Sequence, residues 1–472
     1  MNINLDLELL DFWFGFMKDK WFGCTEQVDQ LIKSKYENWM NLKLLDEVIP
    51  SQDKIILSRI ILFDQIPRHI FRSDSIKELL EPYDTKAREL LETSGLVQRL
   101  ETLDPESRCF ALLPWRHTFD PEYLNKCVKL VSSWKKTQPS QPIYRRFYQA
   151  TIKALCSHYN KQNLIYQINP DYNIDLIDSI LDPRSPRFNS NLLKTNLNLI
   201  PESNHLVQEF KSNISKLNPK PTELVISVSG GVDSMVCLIL AKKCFPELPI
   251  KAISINYANR PEQQIEIDMC GLVCADLGVC HYVRVINEIK RTRDFDREFY
   301  ETTTREIRFG CYYQVTEGLP NPVILGHNQD DCIENIFSNI KKRKNYQNLF
   351  GMGIQGLEKG VCISRPLLSI TKADIFKFAH TFSIPYTWDS TPSWCERGRL
   401  RDILIPSIKS FDPTIIPGLI ELVNNYRQIY SVFAESTPTI FFEDNLSQRD
   451  FRTQRDLKCQ IDCSKEIYII DY

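Results

Sequence analysis

The chain has 472 residues, of which 43% are hydrophobic and 25% charged, with a formal net charge of −2. That length allows two or three domains with sizeable cores, and no apolar run approaches the ~18 residues that a membrane-spanning helix needs. The near-zero net charge argues against a protein that coats nucleic acid, because such binding neutralises phosphates. The acidic start, MNINLDLELLDFWFG, differs from signal and transit peptides and predicts a cytoplasmic protein without a membrane partner.

Fifteen cysteines are scattered along the chain, and none falls in a Cys-x-x-Cys pair. Cys270 and Cys274, like Cys459 and Cys463, are four residues apart, a spacing that suits one face of a helix. The seven histidines form no pair at metal-ligand spacing. We therefore expect buried, reduced thiols rather than metal ligands or disulfides.

Residues 1–160 predict an all-helical domain. The segment KIILSRIILFDQIPRHIF (54–71) repeats apolar residues three and four apart, the spacing of a helix buried on one face. Pro67 is expected to end or kink this helix, because proline cannot donate a backbone hydrogen bond. Residues 161–221, rich in Pro, Asn, Asp and Ser, predict a connector with one short helix.

Residues 222–410 alternate short apolar strands with helical segments. The expected strands are LVISVS (224–229), IKAISIN (250–256), HYVRVI (281–286), NPVILGH (321–327) and GVCISRPLL (360–368). This alternation predicts an α/β domain, a parallel sheet with helices on both faces, whose ligands bind outside the carboxyl ends of the strands. Residues 411–472 follow as a short C-terminal extension.

A glycine-rich turn follows the first expected strand, in the stretch ELVISVSGGVDSMVCLILA (223–241). Gly230 and Gly231 allow a tight turn, and the next helix directs its free N–H groups at the same point. Ser229 and Ser234 can add hydroxyl donors, so an anion site is expected. The sequence has no Gly-Lys pair, which excludes a Walker A loop, and the turn does not fit G-x-G-x-x-G. A plain strand-to-helix turn is the alternative.

The turn resembles the signature of the PP-loop ATP pyrophosphatases, Ser-Gly-Gly-x-Asp-Ser. All its fixed positions match: Ser229, Gly230, Gly231, Asp233 and Ser234. Members of that family bind ATP, expel pyrophosphate and leave AMP on a substrate oxygen. The resemblance implies an adenine nucleotide alpha hydrolase-like fold in which the loop holds the pyrophosphate part of ATP and Asp233 lies near Mg²⁺.

Two downstream stretches carry charged side chains. TTTREIRFGCYY (302–313) sets Arg305 and Arg308 three apart on one helix face, which suits phosphates of ATP or RNA. A solvated basic face is the alternative. LGHNQDDCIENIF (325–337) carries His327, Asp330, Asp331 and Glu334, and on a helix either Asp330 or Asp331 shares a face with Glu334. Helix capping is the alternative for those carboxylates.

Together these stretches resemble the tRNA(Ile)-lysidine synthetase family over about residues 222–410. That family has Ala-Arg-x-x-Arg-Tyr at the first stretch and Gly-His-His-x-Asp-Asp-x-x-Glu at the second, where Asn328 replaces the second His. NLFGMG (348–353) and SRPLLSITKADIF (364–376), with Arg365, match its Leu-x-Gly-Met and Arg-Pro-Leu-Leu segments. The basic stretch YTWDSTPSWCERGRLRDILIP (386–406) matches more loosely. It has Pro392 and Gly398 where the family has Asn, and it retains Arg397, Arg399 and Arg401.

The resemblance implies a tRNA whose wobble cytidine reacts through its O2 with the α-phosphorus of ATP, in the presence of Mg²⁺. Pyrophosphate leaves, and the side-chain amine of free lysine then attacks C2 and releases AMP. The catalytic residues would be Asp233, Asp330, Asp331 and Glu334. The ATP site would add His327 to the turn, and tRNA or phosphate would contact Arg305, Arg308, Arg365, Arg397 and Arg401. A homodimer is left open.

The helical part resembles an uncharacterised bacterial family with a tetratricopeptide-like superhelix, over about residues 1–140. The match rests on LLDFWFG (9–15), ILFDQIPRHIFR (61–72) and LLPWRHTFD (112–120). We expect Trp13, Phe14 and Trp21 in its core. A set of polar residues in these segments favours structural hydrogen bonds over a second catalytic site: Asp64, Gln65, Arg68, His69, Arg72 and His117. The part is expected to be a binding or scaffolding module.

Other functions remain open on the sequence. A tRNA thiolase of the same loop family, making 2-thiocytidine or 2-thiouridine, would use cysteines such as Cys311, Cys332 and Cys395, although paired cysteines are missing. A GMP-synthetase-like amidotransferase shares the SGGVDS turn, but the later motifs fit it worse. A non-catalytic RNA-binding scaffold is disfavoured by the intact Asp233, Asp331 and Glu334.

Overall fold

The computed structural model describes residues 3–21, 25–39, 51–72, 77–162, 174–187, 197–291, 296–344, 351–389, 391 and 393–436. The chain divides into two compact units. The first contains Met1–Asn335 and Gly351–Ser390, and the second contains Ile336–Phe350 and Thr391–Tyr472.

The N-terminal part of the first unit is helical, as the sequence predicts. Its α-helices are Ile3–Asp11, Glu26–Tyr36, Asp53–Asp64, Ile66–Ile70, Lys77–Thr93, Leu96–Arg99, Pro105–Ala111, Leu113–His117, Pro121–Thr137 and Pro142–Gln162. Short 3-10 turns lie at Lys18–Lys20, Glu37–Trp39 and Leu100–Thr102, and a π-helical turn at Phe12–Phe16. Trp13 is buried in this core and Phe14 and Trp21 pack against it, which confirms the expected core aromatics.

The predicted helix over 54–71 is two helices, Asp53–Asp64 and Ile66–Ile70, that meet at Gln65. Pro67 lies in the first turn of the second helix, where its missing N–H costs nothing. The predicted break at this proline is confirmed. It leaves Asp64 and Gln65 at the end of one helix and Arg68 in the next, so their side chains come together.

A six-stranded sheet forms the centre of the α/β part, in the order β3-β2-β1-β4-β6-β5. Its strands are β1 Leu224–Ser227, β2 Ile250–Asn256, β3 Cys280–Val285, β4 Val323–Ile324, β5 Gln355–Glu358 and β6 Val361–Ser364. The first four strands and β6 pair in parallel, and β5 pairs antiparallel to β6 at the edge. The predicted parallel sheet is therefore confirmed, with an added edge hairpin strand.

Helices cover both faces of the sheet. They are His205–Ser215, Val232–Cys244, Glu262–Leu277, Arg297–Val315, Gln329–Lys341 and Lys372–Thr381. Alternate residues of β1 point to opposite faces: Leu224 and Ile226 belong to one buried cluster, and Val225 belongs to another. Strands buried on both faces read as continuous apolar runs, which is why LVIS was recognisable.

Two helices of at least seven residues lie wholly within the described part of residues 161–221. Ile174–Ile180 is the short helix expected there, and His205–Ser215 was not identified from the sequence. The second helix buries Leu206, Val207 and Phe210 in the same cluster as β1. It therefore belongs to the α/β core.

The helical and α/β parts share a hydrophobic cluster. Leu124, Ile152 and Leu155 of the helical part pack with sheet residues that include Val225 and Ile253. The helix Pro142–Gln162 contacts the helix Arg297–Val315, and Arg145 forms an ion pair with Asp296 beside them. The two parts are thus packed as one body within the first unit.

The described part of the second unit is helical, with helices Glu396–Arg399, Ile405–Phe411 and Ile415–Ser436 and a π-helical turn at Leu400–Leu404. Across the described residues, no helix alone has the length and apolar character to cross a membrane. One pair of helical segments, Glu396–Phe411 and Ile415–Tyr426, which are bent by 100° relative to each other, would be long and apolar enough together, by length and composition only.

Twelve of the cysteines lie in the described ranges, and all twelve are free thiols. Nine of them are buried, which confirms the burial expected for the thiols in that part of the chain. Cys459 and Cys463 lie outside the described residues.

Candidate active site at the glycine turn

Two of the charged motifs follow neighbouring strands. The glycine turn follows β1, the stretch from Gly326 to Glu334 follows β4, and these two strands pair in parallel. The chain runs from β1 to β2 on one side, whereas β4 lies on the other side. The carboxyl ends of β1 and β4 are therefore the point where strand order reverses, which is where open α/β sheets bind ligands.

Gly230 forms the sharp bend of the turn. Its φ is +83°, a left-handed conformation that suits glycine. A Cβ at this position would lie 3.0 Å from Thr387 Oγ1, and the Gly230 carbonyl accepts a hydrogen bond from the Thr387 N–H at 2.9 Å. Gly231 then precedes the helix Val232–Cys244, whose first N–H groups are available for an anion.

Ser234 braces the turn from inside. Its hydroxyl donates to the Gly231 carbonyl at 2.9 Å and accepts from the Ser229 N–H at 3.1 Å. A hydroxyl has one proton, so in this arrangement Ser234 cannot also donate to a bound anion. Ser229 is exposed and lies 3.3 Å from Ser234, hydroxyl to hydroxyl, so it is the serine that can reach a ligand.

Gly326 brings the β4 loop against the first turn of the helix Val232–Cys244. A Cβ on Gly326 would lie 2.9 Å from the carbonyl carbon of Asp233 and 2.9 Å from the N of Ser234. Both of these are backbone atoms, which cannot move away by a change of rotamer as a side chain can. Only glycine permits this approach, and the sequence interpretation did not single it out.

Asp233 is the centre of the site. Its Oδ1 accepts from Asn328 Nδ2 at 2.9 Å, and its Oδ2 contacts the Lys372 ammonium in a salt bridge. Asn328 is buried and follows β4, while Lys372 begins the helix after β6. Three separate segments therefore meet on one carboxylate.

Asp331 and Asp330 both accept backbone hydrogen bonds. Asn328 and Asp331 cap one another: the Asn328 N–H donates to Asp331 Oδ2 at 3.0 Å, and the Asp331 N–H donates to Asn328 Oδ1 at 3.1 Å. Asp330 Oδ2 accepts from the Lys372 N–H at 2.8 Å. The capping role considered for these residues is thus present. It fixes the loop from which the Asn328 side chain donates to Asp233.

Glu334 lies one turn further along the same helix and is buried. Asp331 is buried beside the helix start, whereas Asp330 is partly exposed. The two buried carboxylates, three residues apart, share a face of the helix Gln329–Lys341.

Arg365 orients His327. Its Nε donates to His327 Nδ1 at 3.2 Å, and its Nη1 donates to the Gly353 carbonyl at 3.1 Å. An arginine N–H can only donate, so a neutral His327 carries its proton on Nε2. Arg365 is only 6% exposed and also pairs with Glu358.

The two other arginines of this region differ in exposure. Arg305 has a side chain that is 54% exposed and pairs with Glu358 at 2.8 Å. Arg308 is half-buried beside Tyr257 and Tyr312, and its Nε has no hydrogen-bond partner among the described residues. Tyr312 in turn lies 2.8 Å from the Ser227 hydroxyl at the end of β1, hydroxyl to hydroxyl.

Arg397 and Arg401 lie in the second unit, in the helix Glu396–Arg399 and the π-helical turn after it. Arg397 is exposed and Arg401 is half-buried. Residues 348–350 of the Leu-x-Gly-Met stretch and Pro392 lie outside the described residues.

His281 contacts the strand end before the turn through Ser254. Its Nε2 lies 2.8 Å from the Ser254 hydroxyl, which donates to the Val228 carbonyl at 2.9 Å, one residue before the turn. Burial lowers the pKa of His281 to about 4, so the imidazole is neutral at ordinary pH.

The main residue that sequence interpretation missed is Lys372. Its signal was the capping pair around it, since Thr371 accepts from the Asp374 N–H at 3.1 Å and so fixes the helix start. The turn offers N–H donors for an anion, and Asp233 with Lys372 offers a charged pair at its edge. Such a set suits a polyphosphate with a bound cation.

Two protein families match the chain. Residues 203–408 match the PP-loop domain family, and residues 9–165 match the family described as a bacterial protein of unknown function (DUF924). Each match covers less than half of the chain. The resemblances drawn from the motifs are confirmed for both regions.

Curated relatives match the α/β part. The tRNA(Ile)-lysidine synthase of Clostridioides difficile (strain 630) is 26% identical over 258 residues, covering 51% of this chain and 53% of the relative. That of Hydrogenovibrio crunogenus is 29% identical over 206 residues, covering 42% and 47%. The chain therefore spans about half the length of the curated relatives it matches.

Among solved structures, the U34-tRNA thiolase NcsA of Methanococcus maripaludis, with its [4Fe-4S] cluster, is similar at 18% identity. The matched region covers 46% of this chain and 78% of the thiolase chain, with a TM-score of 0.38. A similarity this weak does not distinguish one activity from another.

Proposed function

We propose that this chain, through its PP-loop domain at residues 203–408, is an ATP-dependent ligase that attaches lysine to C2 of a wobble cytidine in tRNA. The cytidine O2 attacks the α-phosphorus of ATP, and pyrophosphate leaves. The lysine side-chain amine then attacks C2, AMP leaves, and a C–N bond replaces the C–O bond. The names of the curated relatives support this substrate class, and the cytoplasm is the location we propose.

The contact of Asp233 with Lys372 and Asn328 is the observation that carries the proposal. Pyrophosphate departure develops negative charge, and donors fixed beforehand around that charge stabilise it. The N–H groups after Gly231 and the Lys372 ammonium lie at the same edge of the turn. Lys372 would move from Asp233 to a phosphate oxygen when ATP binds.

Asp233 also fits a magnesium ion. Its carboxylate already faces one cation, the Lys372 ammonium, and each carboxylate oxygen keeps a second lone pair. Carboxylates with substrate phosphates are the usual ligands of Mg²⁺. The ion, when bound with ATP, would supply charge neutralisation to the leaving pyrophosphate.

The attacking lysine needs an anionic pocket and a proton acceptor. The candidates are Glu334, Asp330 and Asp331, of which Asp330 and Asp331 each also accept one backbone N–H. For tRNA, the exposure of Arg305 favours a direct phosphate contact, while the burial of Arg365 favours a role in orienting His327. Arg397 and Arg401 would add contacts from the second unit.

A thiolase is the second candidate, and the burial of two cysteines argues against it. Cys311 and Cys332 are both buried, and burial raises the pKa of Cys311 to about 12. A thiol that stays protonated at neutral pH is a poor nucleophile or sulfur carrier.

The test is tRNA-dependent release of pyrophosphate from ATP, followed with labelled lysine in one arm and a labelled sulfur donor in the other. The proposal predicts pyrophosphate release, lysine label in tRNA, and loss of both in Asp233→Asn. Sulfur label in tRNA would support the thiolase instead. Failure to release pyrophosphate with any cytidine-wobble tRNA would contradict the proposed ligase.

A further inference from the structure

A second group of ionisable side chains lies in the helical part of the chain, outside the glycine-turn site. We call it the helical polar cluster, and its members are Asp64, Arg68, Asp84, Arg116 and His117. They come from four helices: Asp53–Asp64, Ile66–Ile70, Lys77–Thr93 and Leu113–His117. The proposed ligase activity makes no use of them.

Asp64 and His117 form a dyad. Asp64 is 1% exposed, and its two oxygens lie 2.8 and 3.0 Å from His117 Nδ1. Burial alone would raise the pKa of Asp64, but His117, Arg68 and Gln65 lower it overall, so the carboxylate is charged. A carboxylate only accepts, so Nδ1 carries the proton and Nε2 of a neutral His117 carries a lone pair.

Arg68 joins the dyad to the protein surface. It donates to Asp84 at 2.6 Å and lies 3.5 Å from Asp64. Its Nε is buried and has no hydrogen-bond partner among the described residues. Asp84 and Arg68 are partly exposed, as is His117 at 16%. Solvent therefore reaches one side of a cluster whose base is the buried Asp64.

Arg116 is a charged group without an acceptor. In the described ranges it has no hydrogen bond to its guanidinium and no ion pair; its Cζ lies 5.6 Å from the centre of the Phe147 ring. Burial lowers the pKa of Arg116, and the negative charge of Asp64 offsets part of that decrease. Burying part of a guanidinium without an acceptor is costly, so such a group is typical of a ligand site.

A neighbouring contact in the same domain has the opposite character. Arg72 donates to Asp29 at 3.0 Å, and the same carboxylate lies 2.7 Å from His69 Nδ1. Here one carboxylate contacts both the guanidinium of Arg72 and the ring of His69, as a structural contact should. In the helical polar cluster, by contrast, guanidinium donors of Arg68 and Arg116 exceed the acceptors that the described side chains offer.

We propose that the helical polar cluster binds a small molecule through a phosphate or carboxylate group. Arg116 and the unused donors of Arg68 would hold the oxyanion, because guanidinium groups match its geometry. His117 Nε2 would accept from a protonated oxygen of the same ligand, with Asp64 fixing the ring. The proposal is independent of the ligase activity at the glycine turn.

The test is the rate at which diethyl pyrocarbonate modifies His117 in the full chain, followed by peptide mass spectrometry. Inorganic phosphate is the probe in one arm and acetate in the other, which distinguishes the two oxyanions. We expect one of them to slow His117 modification about tenfold at about ten times its dissociation constant, because only ligand-free protein reacts. Anion bound at the glycine turn would leave the His117 rate unchanged.

Arg116→Gln should keep His117 reactive and abolish the protection, and Arg116→Lys should weaken it. Arg72→Gln is the control, since Arg72 belongs to the satisfied contact, and protection should survive in it. Circular dichroism establishes that each variant is folded. No protection of the unmodified chain by either anion would overturn the proposal, as would full protection in a folded Arg116→Gln; the first result decides even if a variant does not fold.

Discussion

At the scale of single residues, Asp233 connects three segments that are distant in sequence. Its partners are Asn328, 95 residues away, and Lys372, 139 residues away. The PP-loop signature predicted Asp233 and the two glycines, because a phosphate turn requires fixed residue types at fixed spacing. For Lys372 the only local signal is the Thr371–Asp374 capping pair that marks the helix start, and it does not predict the contact with Asp233.

Lys372→Ala should lower the rate of tRNA-dependent pyrophosphate release by about 10²–10³, the usual effect of losing one fixed donor to developing charge. Lys377→Ala is the matched control, because Lys377 is exposed on the same helix and should leave the rate unchanged. A rate for Lys372→Ala within about threefold of the unmodified chain would remove Lys372 from the site.

His281 should make stability depend on pH. The ordinary pKa of the side chain is 6.5, and in the folded chain burial lowers it to about 4. Between these values the unfolded chain binds a proton that the folded chain does not. The contribution of His281 is therefore fully present above about pH 6.5 and is lost as pH falls toward 4.

Urea unfolding at pH 7.5 and 5.5 measures this effect. The unmodified chain should lose about 1.4 kcal/mol more than His281→Gln between these two pH values, because Gln does not titrate. Equal losses in the two proteins would mean that His281 is protonated as readily in the folded chain as in the unfolded one.

The Asn328 position shows both the use and the limit of sequence interpretation. The motif revealed that Asn replaces a histidine of the family pattern, and it left the contact of that position open. The structure gives Asn328 a definite role, since its amide donates to Asp233 and its carbonyl oxygen caps Asp331. A hydrogen bond between a loop and a helix distant in sequence depends on their separation in space, which one sequence does not contain.

At the scale of elements, the site depends on how closely the β4 loop approaches the helix Val232–Cys244. Gly326→Ala should destabilise the fold by about 1–3 kcal/mol, because its Cβ would meet backbone atoms of Asp233 and Ser234 that cannot rearrange. It should also reduce pyrophosphate release, since relief requires the loop to move away. Unfolding and activity measured on the same preparation test both statements.

Gly356→Ala is the control for this prediction. Nothing lies within 4 Å of a Cβ at Gly356, so neither stability nor pyrophosphate release should fall as they do in Gly326→Ala. If the two variants behave alike, the close approach at Gly326 is not what fixes the turn.

The five parallel strands were predictable because each is a short apolar run, buried on one or both faces. The edge strand β5, Gln355–Glu358, was missed for the opposite reason: none of its residues is fully buried, and Leu357 is exposed. It matters to the site nonetheless. Glu358 at its end pairs with both Arg305 and Arg365, two of the arginines that the motifs identified.

At the scale of the whole molecule, the helical and α/β parts of the first unit share a core. The change of sequence pattern suggested separate domains, yet Leu155 packs in one cluster with Val225 and Ile253 of the sheet. Composition and periodicity reveal that a helix face is apolar, and they do not reveal what covers it.

Leu155→Ala should therefore destabilise the sheet as well as the helical part, by about 2–5 kcal/mol overall. Hydrogen exchange should accelerate in β1 and β2. Leu112→Ala is the matched control, because Leu112 is equally buried but packs only in the helical core. If Leu155→Ala leaves exchange in β1 and β2 unchanged, the shared cluster does not couple the two parts.

The central claim is that the PP-loop site joins lysine to a wobble cytidine. The most direct measurement is mass spectrometry of the nucleosides of a cytidine-wobble tRNA after incubation with the full chain, ATP, Mg²⁺ and lysine. We predict a wobble nucleoside whose mass equals that of cytidine plus lysine minus water, and its absence with Asp233→Asn. An unchanged cytidine, or a sulfur-containing nucleoside formed when a sulfur donor is supplied, would contradict it.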